Sequence, residues 1–386
     1  MDTQINRTQI IDLTQRLVRC HTEAGDEKEA ADLVLAEMHR LGYDRVNVDE
    51  NGSVVGMIRG KHPGPTLLLD GHIDTVGVAP GVPWKQDPFG GAVIGGKLYG
   101  RGASDMKGPV AAMVLAAAAV DREELSGTLV VSASVMEEVL EGVALKTVME
   151  ATRPDFVVIG EASDLKLVHG SRGRAEILVE TIGRPAHSSR PQEGINAVQA
   201  MLPVMQAIDR LALPAHKTVG QAIIALTDII SEPYPGHSVI PSRCRVTYDR
   251  RLIPGETKES VMRTLAGLPT ITGATVNSSL AQGEYQTYTG RTFFVDKWFP
   301  AWLIEKDHAL VQKAAKGLQL AGLPVSYDLY QFCTNAAYSA GEAGIPTIGF
   351  GPSSGSLAHV VDEYIEIDTL VKAAQGYLSI ISSVLG

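Results

Sequence analysis

The stretch Thr66-Leu67-Leu68-Leu69-Asp70-Gly71-His72-Ile73-Asp74 decides how this chain folds and where its chemistry lies. Its leucines predict a buried strand, which runs directly into a histidine and a carboxylate two residues apart. Because strand side chains alternate between faces with a period of two, His72 and Asp74 are expected to share a face at the strand's end. A carboxylate in that place can orient an imidazole for metal binding. The pair therefore indicates the beginning of a metal site.

The same arrangement, an apolar run followed by acidic or imidazole side chains, recurs along the chain. The runs and the residues that follow them are 129–135 with Glu137 and Glu138, 156–159 with Glu161, and 347–350 with His359. Asp105 lies in a glycine-rich turn, residues 100–108, that opens into an alanine-rich helix. Functional groups gather beyond the carboxyl ends of parallel strands, so we expect these side chains to converge.

Converging carboxylates and imidazoles repel one another unless positive charge lies between them. Nitrogen and oxygen ligands without thiolates favour zinc, with cobalt or manganese as substitutes. Of the two adjacent glutamates, Glu138 can bind a metal while Glu137 acts as the general base on a water molecule. Taken singly, each residue is better explained as a helix cap or a solvated acid. Taken together, in order and at successive strand ends, they favour a metal site.

Length and composition limit the class of protein. The 386 residues are expected to form about two domains. A hydrophobic fraction of 45% and a charged fraction of 20% are typical of globular proteins. The formal net charge of -10 argues against a nucleic-acid partner, because phosphate binding needs clustered lysine and arginine.

The cysteines and the first residues of the chain indicate the cellular compartment in which the protein is expected. Cys20, Cys244 and Cys333 are far apart and odd in number, which favours a reducing compartment over a disulfide framework. The first residues lack the layout of a signal peptide, and no apolar run approaches the ~20 residues that span a bilayer. We therefore expect a cytoplasmic protein without a membrane partner.

The order of strand and helix patterns predicts an α/β fold with a mixed, mostly parallel sheet flanked by helices. Between residues 175 and 280 the pattern changes to strand, helix, strand, strand, helix, strand. That order is the ferredoxin-like βαββαβ motif, and it interrupts the longer α/β pattern. We expect a catalytic domain at 1–174 and 288–386 with an inserted domain at 175–287.

Several motifs, spread over nearly the whole chain, carry a family resemblance. They are Gly71-His72-Ile73-Asp74, Gly100-Arg101-Gly102 with Asp105-Met106-Lys107-Gly108, Glu137-Glu138, Gly160-Glu161, Ala186-His187-Ser188-Ser189-Arg190-Pro191 with Gly194-Ile195-Asn196-Ala197, and Ala358-His359. The chain resembles the co-catalytic di-zinc family of succinyl-diaminopimelate desuccinylase, acetylornithine deacetylase, aminoacylase and glutamate carboxypeptidase. The resemblance implies a zinc-hydrolase-type fold and amide hydrolysis.

The resemblance also implies a role for each matching residue. The implied metal ligands are His72 and Glu161 on one zinc ion, Glu138 and His359 on the other, and Asp105 bridging both. Asp74 would hold His72 in its ligating tautomer. Glu137 would take a proton from the attacking water and deliver it to the leaving amine, while zinc stabilises the oxyanion.

On the substrate side the resemblance implies a second set of residues. His187 would donate a hydrogen bond to the oxyanion, typically in the active site of a neighbouring subunit. Arg251 would bind the substrate's carboxylate, a task suited to a bidentate guanidinium. Ser238, Asn335 and Gly351 are the further candidates for substrate contact. The inserted domain is expected to form a homodimer through a helix with an apolar face and an outer strand.

Three positions depart from the family pattern. Met136 stands where an acid often precedes the glutamate pair, so nothing ionic is expected to support Glu137 from that side. Ser238 stands where asparagine is common, and Asn335 replaces the usual aspartate. The metal ligands are intact and the substrate-facing set is altered, so the chemistry is better supported than the specificity.

The sequence thus predicts a metallohydrolase that cleaves the amide bond of an N-acyl amino acid or small peptide. The rivals within the enzyme class are a dipeptidase or carboxypeptidase and an N-carbamoyl-amino-acid hydrolase. From another class, a non-catalytic metal- or ligand-binding protein would keep the fold without the reaction. A nucleotide-binding enzyme is a weaker alternative, because Pro352 in Gly349-Phe350-Gly351-Pro352 lacks the N-H of a phosphate loop.

Overall fold

The computed structural model describes residues 5–386. Helix starts are capped where the sequence permits: the Asn6 side chain accepts the N-H groups of Thr8 and Gln9, two donors that a helix start leaves free. The helices are α1 (Arg7–Arg19), α2 (Lys28–Arg40), α3 (Lys107–Ala118), α4 (Val143–Thr152), α5 (Ala197–Asp209), α6 (Lys258–Thr264), α7 (Ala309–Leu320) and α8 (Ile367–Leu385).

The strands vary from two to eleven residues in length. They are β1 (Arg45–Val48), β2 (Val54–Arg59), β3 (His62–His72), β4 (Val93–Ile94), β5 (Lys97–Tyr99), β6 (Ser126–Ser134), β7 (Phe156–Ile159), β8 (Leu167–Ser171), β9 (Gly173–Ile182), β10 (Ala215–His216), β11 (Gly220–Gln221), β12 (Ile223–Glu232), β13 (Arg243–Leu252), β14 (Thr275–Leu280), β15 (Gln282–Gln286), β16 (Thr292–Asp296), β17 (Trp298–Phe299), β18 (Trp302–Leu303), β19 (Tyr327–Tyr330), β20 (Thr347–Gly349) and β21 (Tyr364–Glu366).

The chain is divided into two compact units. One runs through Ser171 and also contains Glu284–Phe293 and Trp302–Gly386; the other contains Arg172–Gly283 and Phe294–Ala301. The predicted range of the insertion, 175–287, does not include the last of these segments. Its two-residue strand β17 pairs with β9, and so short a strand has no recognisable pattern in the sequence.

The first unit is built on a mixed sheet with the order β1-β2-β6-β3-β7-β20-β8-β18, to which β19 is added beside β8. The central strands β6, β3, β7 and β20 are parallel. The pairs β1/β2 and β2/β6 on one side and β20/β8 and β8/β18 on the other are antiparallel. The expected α/β fold with a mixed sheet and flanking helices is confirmed, with parallel pairing concentrated at its centre.

Alternation along β3 explains why both faces of this sheet are covered. Leu67 and Leu69 face one hydrophobic cluster together with α1, α3 and α8, whereas Leu68 faces another that includes α4. All three leucines are at most 1% exposed, and burying one such side chain contributes about 1.5–3 kcal/mol. This burial on both faces holds the end of β3, and therefore His72, in a fixed position.

The second unit contains an antiparallel sheet with the order β12-β13-β9-β14. Apart from the short pair β10/β11, its elements follow the chain as strand, helix, strand, strand, helix, strand, which is the ferredoxin-like pattern. Cys244, Val246 and Tyr248 of β13 alternate into its core beside α5. Its edge strand β12 exposes Ile223, Leu226, Ile229 and Ile230.

Within residues 5–386, no helix combines the length and the apolar character needed to cross a bilayer.

Candidate metal centre

The end of β3 presents His72 in an orientation suited to metal binding. The ring is buried, and Nδ1 lies 2.9 Å from the main-chain oxygen of Asp74. Because a carbonyl oxygen only accepts, Nδ1 carries the proton in the neutral ring and Nε2 keeps a free lone pair. The Asp74 carboxylate is farther away, at 3.6 Å from Nδ1. The tautomer is therefore held by the main chain of Asp74 rather than by the expected carboxylate.

Two groups of side chains around Asp105 have the spacing of metal ligands. One contains His72, Asp105 and Glu161, the other Asp105, Glu138 and His359, and within each group the ligand atoms lie within 4.8 Å of one another. Asp105 Oδ1 is 3.1 Å from His72 Nε2, and Asp105 Oδ2 is 3.2 Å from His359 Nε2. The Asp105 carboxylate thus faces the His72 ring with one oxygen and the His359 ring with the other.

The remaining ligand atoms complete the two groups. Glu161 Oε1 lies 3.4 Å from His72 Nε2. Glu138 approaches His359 Nε2 with both oxygens, at 3.0 and 3.2 Å. His359 itself has a positive φ of 60°, an uncommon conformation for a residue with a Cβ. All five predicted metal ligands are therefore brought together at one edge of the sheet.

Glu137 lies beside the first group without belonging to it. Its Oε2 is 3.8 Å from His72 Nε2, while its Oε1 is buried and accepts no hydrogen bond from any residue of the described range 5–386. The Asp74 carboxylate accepts the main-chain N-H groups of Glu137 and Glu138 at 3.1 and 3.0 Å. Asp74 therefore connects the end of β3 to the glutamate pair.

The pKa values show how strongly these groups affect one another. Burial raises the pKa of Glu161 to about 7, and the charge of Asp105 adds to the rise. Burial likewise raises the pKa of Glu137 well above its usual range, although the charge of His72 opposes the shift. The contacts with Asp105 and then Glu138 raise the pKa of His359 to about 10. Without a metal, the acids and imidazoles share protons in place of a cation.

The residues present fit a pair of divalent cations. Carboxylates outnumber imidazoles here: Asp74, Asp105, Glu137 and Glu161 are buried and Glu138 is partly buried, whereas the imidazoles are only His72 and His359. Such a concentration of negative charge away from water is costly unless cations compensate it. The donors are nitrogen and oxygen atoms only, as borderline metals such as zinc prefer.

Two residues that support Asp105 were missed by the sequence analysis. Glu363 is fully buried, and its Oε1 accepts the N-H groups of Ser104 and Asp105 at 2.8 and 3.1 Å. Its Oε2 accepts from Arg101 Nη1 at 2.6 Å. The proximity of Glu363 to His359 and the arginine in the glycine-rich turn were the available signals. The pair fixes the main chain from which Asp105 reaches the centre.

The turn before Glu137 also differs from expectation. Met136 has a positive φ of 63°, and its N-H donates to Glu27 Oε1 at 3.2 Å. An acid therefore does lie on that side of the glutamate pair, but it comes from the beginning of α2. The local sequence around Met136 could not reveal it.

Two residues predicted to contact substrate lie behind the metal ligands instead. Asn335 is 3% exposed, and its Nδ2 donates to Asp70 Oδ2 at 2.8 Å and Ser134 Oγ at 2.9 Å. Gly351 is also buried, and a Cβ there would lie 2.3 Å from the main-chain oxygen of Glu161. Both positions support the strands that carry the ligands, so the structure gives no reason to place substrate against them.

The second unit carries the other predicted substrate residues. His187 is exposed, and its Nδ1 accepts the N-H of Ser189 at 3.1 Å, so Nε2 bears the proton in the neutral ring. Ser238, at a φ of 60°, accepts the N-H of Ser188 through its main-chain oxygen. Arg251 Nε contacts Asp249 Oδ1 at 2.8 Å. His187 thus presents a hydrogen-bond donor to solvent.

Comparisons with known proteins agree with this centre. The pattern of Peptidase family M20/M25/M40 matches residues 68–383. The chain is 32% identical to the protein YgeY of Escherichia coli (strain K12), itself uncharacterised, over 372 residues, 94% of this chain and 91% of YgeY. It is 31% identical to acetylornithine deacetylase of Salmonella arizonae over 323 residues, 79% of this chain and 76% of the relative.

A solved structure shows the same fold. The Bacillus subtilis YXEP protein, described as a dinuclear metal binding peptidase from the M20 family, aligns with a TM-score of 0.72 and 15% identity over 98% of each chain. With the matched family pattern and the paired ligand groups, these relatives identify a hydrolase of C-N bonds with a divalent metal cofactor. The chain therefore belongs to peptidase family M20/M25/M40.

Proposed function

We propose that this protein hydrolyses the amide bond of an N-acyl amino acid with two zinc ions and Glu137 as general base. One observation carries the proposal: Asp105 is shared by two ligand groups, and the unpartnered oxygen of Glu137 lies beside them. A bridged pair of metals next to a free carboxylate is an arrangement suited to hydrolysis by an activated water. Cobalt or manganese are the alternatives to zinc.

The proposed mechanism assigns the proton transfers to this chain's own residues. Bound zinc ions would act as Lewis acids and lower the pKa of water. Glu137 accepts the proton of the water that attacks the amide carbon, and then delivers it to the nitrogen of the leaving amine. Burial raises the pKa of Glu137 above the usual range of a carboxyl group, and a higher pKa makes its carboxylate a stronger base. Asp74 keeps Glu137 in place through the main chain.

The second unit supplies the proposed substrate contacts. His187 would donate a hydrogen bond from Nε2 to the carbonyl oxygen as negative charge develops there, typically in the active site of a neighbouring subunit. Arg251 would bind the carboxylate of the amino acid, for which its two terminal nitrogens are suited. We further propose that the protein is a homodimer through β12, whose apolar side chains are exposed at an edge strand. Its three cysteines are buried and form no disulfide, which favours a cytoplasmic location.

A dipeptidase, a carboxypeptidase or an N-carbamoyl-amino-acid hydrolase would use the same centre. The likeness to acetylornithine deacetylase favours a deacylase. The metal content of the purified protein, followed by rates on acetyl, succinyl, carbamoyl and dipeptidyl amino acids, tests the proposal. We expect about two zinc ions per chain and the highest kcat/KM on an acyl amino acid. Full activity after removal of metal by a chelator would contradict the proposed chemistry.

A further inference from the structure

The segment between α1 and α2 contacts several of the loops that build the metal centre. Thr22 Oγ1 donates to the main-chain oxygen of Ile73 at 2.7 Å, and Thr75 N-H donates back to the main-chain oxygen of Thr22 at 2.7 Å. The ammonium of Lys107, two residues after Asp105, donates to the main-chain oxygen of Cys20 at 2.8 Å. The segment therefore holds the ends of β3 and of the glycine-rich turn.

Glu27 extends this support to the glutamate pair. Its side chain is 0% exposed, and Oε1 accepts the N-H of Met136 at 3.2 Å. Its Oε2 is buried and has no hydrogen-bond partner in the described part of the chain. Burying a carboxylate far from any cation costs free energy.

The contact matters because of the conformation of Met136. Its φ of 63° lies in the left-handed region, which is strained for a residue with a Cβ and persists only when the surroundings enforce it. The main-chain conformation at Met136 sets the directions in which the side chains of Glu137 and Glu138 point. Glu27 makes no capping hydrogen bond to the helix that it precedes, so capping does not explain its carboxylate.

We propose that Glu27 is a positioning residue: its carboxylate holds the Met136 N-H and so fixes the turn that aims Glu137 and Glu138. The roles of those two glutamates rest on the proposed function. Glu27 also lies before residue 68, where the family match begins. The metal centre would thus depend on a segment outside the matched region.

Three variants separate the hydrogen bond from other effects of the site. Glu27→Met keeps the size of the side chain and removes the acceptor. Glu27→Gln keeps an acceptor for Met136 and removes the charge. Glu29→Met is the matched control, because Glu29 is an exposed glutamate in the first turn of the same helix.

The first measurement is amide hydrogen exchange at Met136 in the metal-free protein, which needs no activity. We expect exchange at least tenfold faster in Glu27→Met than in the wild type, with Glu27→Gln and Glu29→Met close to the wild type. The second is kinetics of the zinc-loaded enzyme. Loss of an outer partner of a metal site typically costs 10–100-fold, so kcat of Glu27→Met should fall by about that factor while KM stays within about twofold.

Unchanged exchange at Met136 in Glu27→Met, or unchanged kcat, would overturn the inference. A loss of kcat in Glu27→Gln as large as in Glu27→Met would also overturn it, because the charge and not the hydrogen bond would then matter. If Glu27→Met does not fold, hydrogen exchange of the wild-type protein tests the inference. An unprotected Met136 amide there would exclude the contact with Glu27. An inactive wild-type protein with the expected exchange pattern would instead refute only the proposed function.

Discussion

At the scale of the residue, Glu137 is marked by a buried oxygen, Oε1, that accepts no hydrogen bond within the described residues 5–386 and by its position beside the two ligand groups. Replacing it with glutamine keeps the shape and removes the base. We expect Glu137→Gln to lower kcat by on the order of 10²–10⁴-fold, the usual contribution of general acid-base catalysis, with the metal content unchanged. Steady-state kinetics and metal analysis of the same preparation measure both quantities.

Glu150→Gln is the control for this change, since Glu150 is an exposed glutamate on the nearby helix α4. It should leave both quantities unchanged. Loss of metal in Glu137→Gln would instead show that this residue is a ligand. An undiminished kcat would favour the alternative that the protein only binds metal or ligand.

Four of the five candidate ligands could be predicted from the sequence because each follows an apolar run that indicates a strand, and the fifth, Asp105, because it lies in a glycine-rich turn before a helix. Asp70 and Asn335 show why other residues could not. They are 265 positions apart, and their hydrogen bond becomes apparent only when β3 lies beside the segment that carries Asn335. Glu27 and Glu363 act on main-chain N-H groups of distant segments, and no side-chain pattern in the sequence records such contacts.

At the scale of the element, the glycine-rich turn depends on a buried ion pair. Arg101 is 4% exposed and Glu363 is 0% exposed, and their contact holds the main chain at Asp105. We expect Glu363→Gln to destabilise the protein by about 3–5 kcal/mol, because the guanidinium of Arg101 is left buried without its charge partner. Urea unfolding of the metal-free protein at pH 8, above the pKa of about 7 to which burial raises Glu363, gives this value.

The same variant should bind metal about 10–100-fold more weakly, as expected when an outer partner is lost, with both ions affected because Asp105 belongs to both groups. Competition with a chromophoric chelator measures this affinity. Glu366→Gln, at an exposed position three residues later, is the control. Wild-type affinity in Glu363→Gln would mean that the pair stabilises the fold without positioning Asp105.

The edge strand β12 is a candidate site for association with a second copy of the chain. It exposes apolar side chains at an edge where another strand could pair. If the dimer forms there, Ile229→Lys should give a monomer, because Ile229 is 51% exposed and its replacement leaves the core of the unit intact. Sedimentation velocity reads the mass, and circular dichroism checks the fold. Ser279→Lys on β14, the opposite edge of the same sheet, should remain dimeric.

At the scale of the whole molecule, the buried acids make stability depend on pH in a predictable direction. Burial is the main cause that raises the pKa of Glu27, Glu161 and Glu363 from 4.5 to about 7. The folded metal-free protein therefore binds more protons than the unfolded chain between these values. Stability from these groups is complete below pH 4.5 and is lost as the pH rises through 7.

His359 shifts stability in the same direction. Its contacts with Asp105 and Glu138 raise its pKa from 6.5 to about 10, so the folded protein keeps a proton that the unfolded chain releases above pH 6.5. We expect the free energy of unfolding of the metal-free protein to fall steadily from pH 5 to pH 8. In the zinc-loaded protein the metal replaces these protons, and stability should rise with pH as the ligands deprotonate. Urea unfolding across this range, with and without zinc, measures both slopes; a metal-free protein that gains stability toward pH 8 would contradict the proton sharing inferred for the centre.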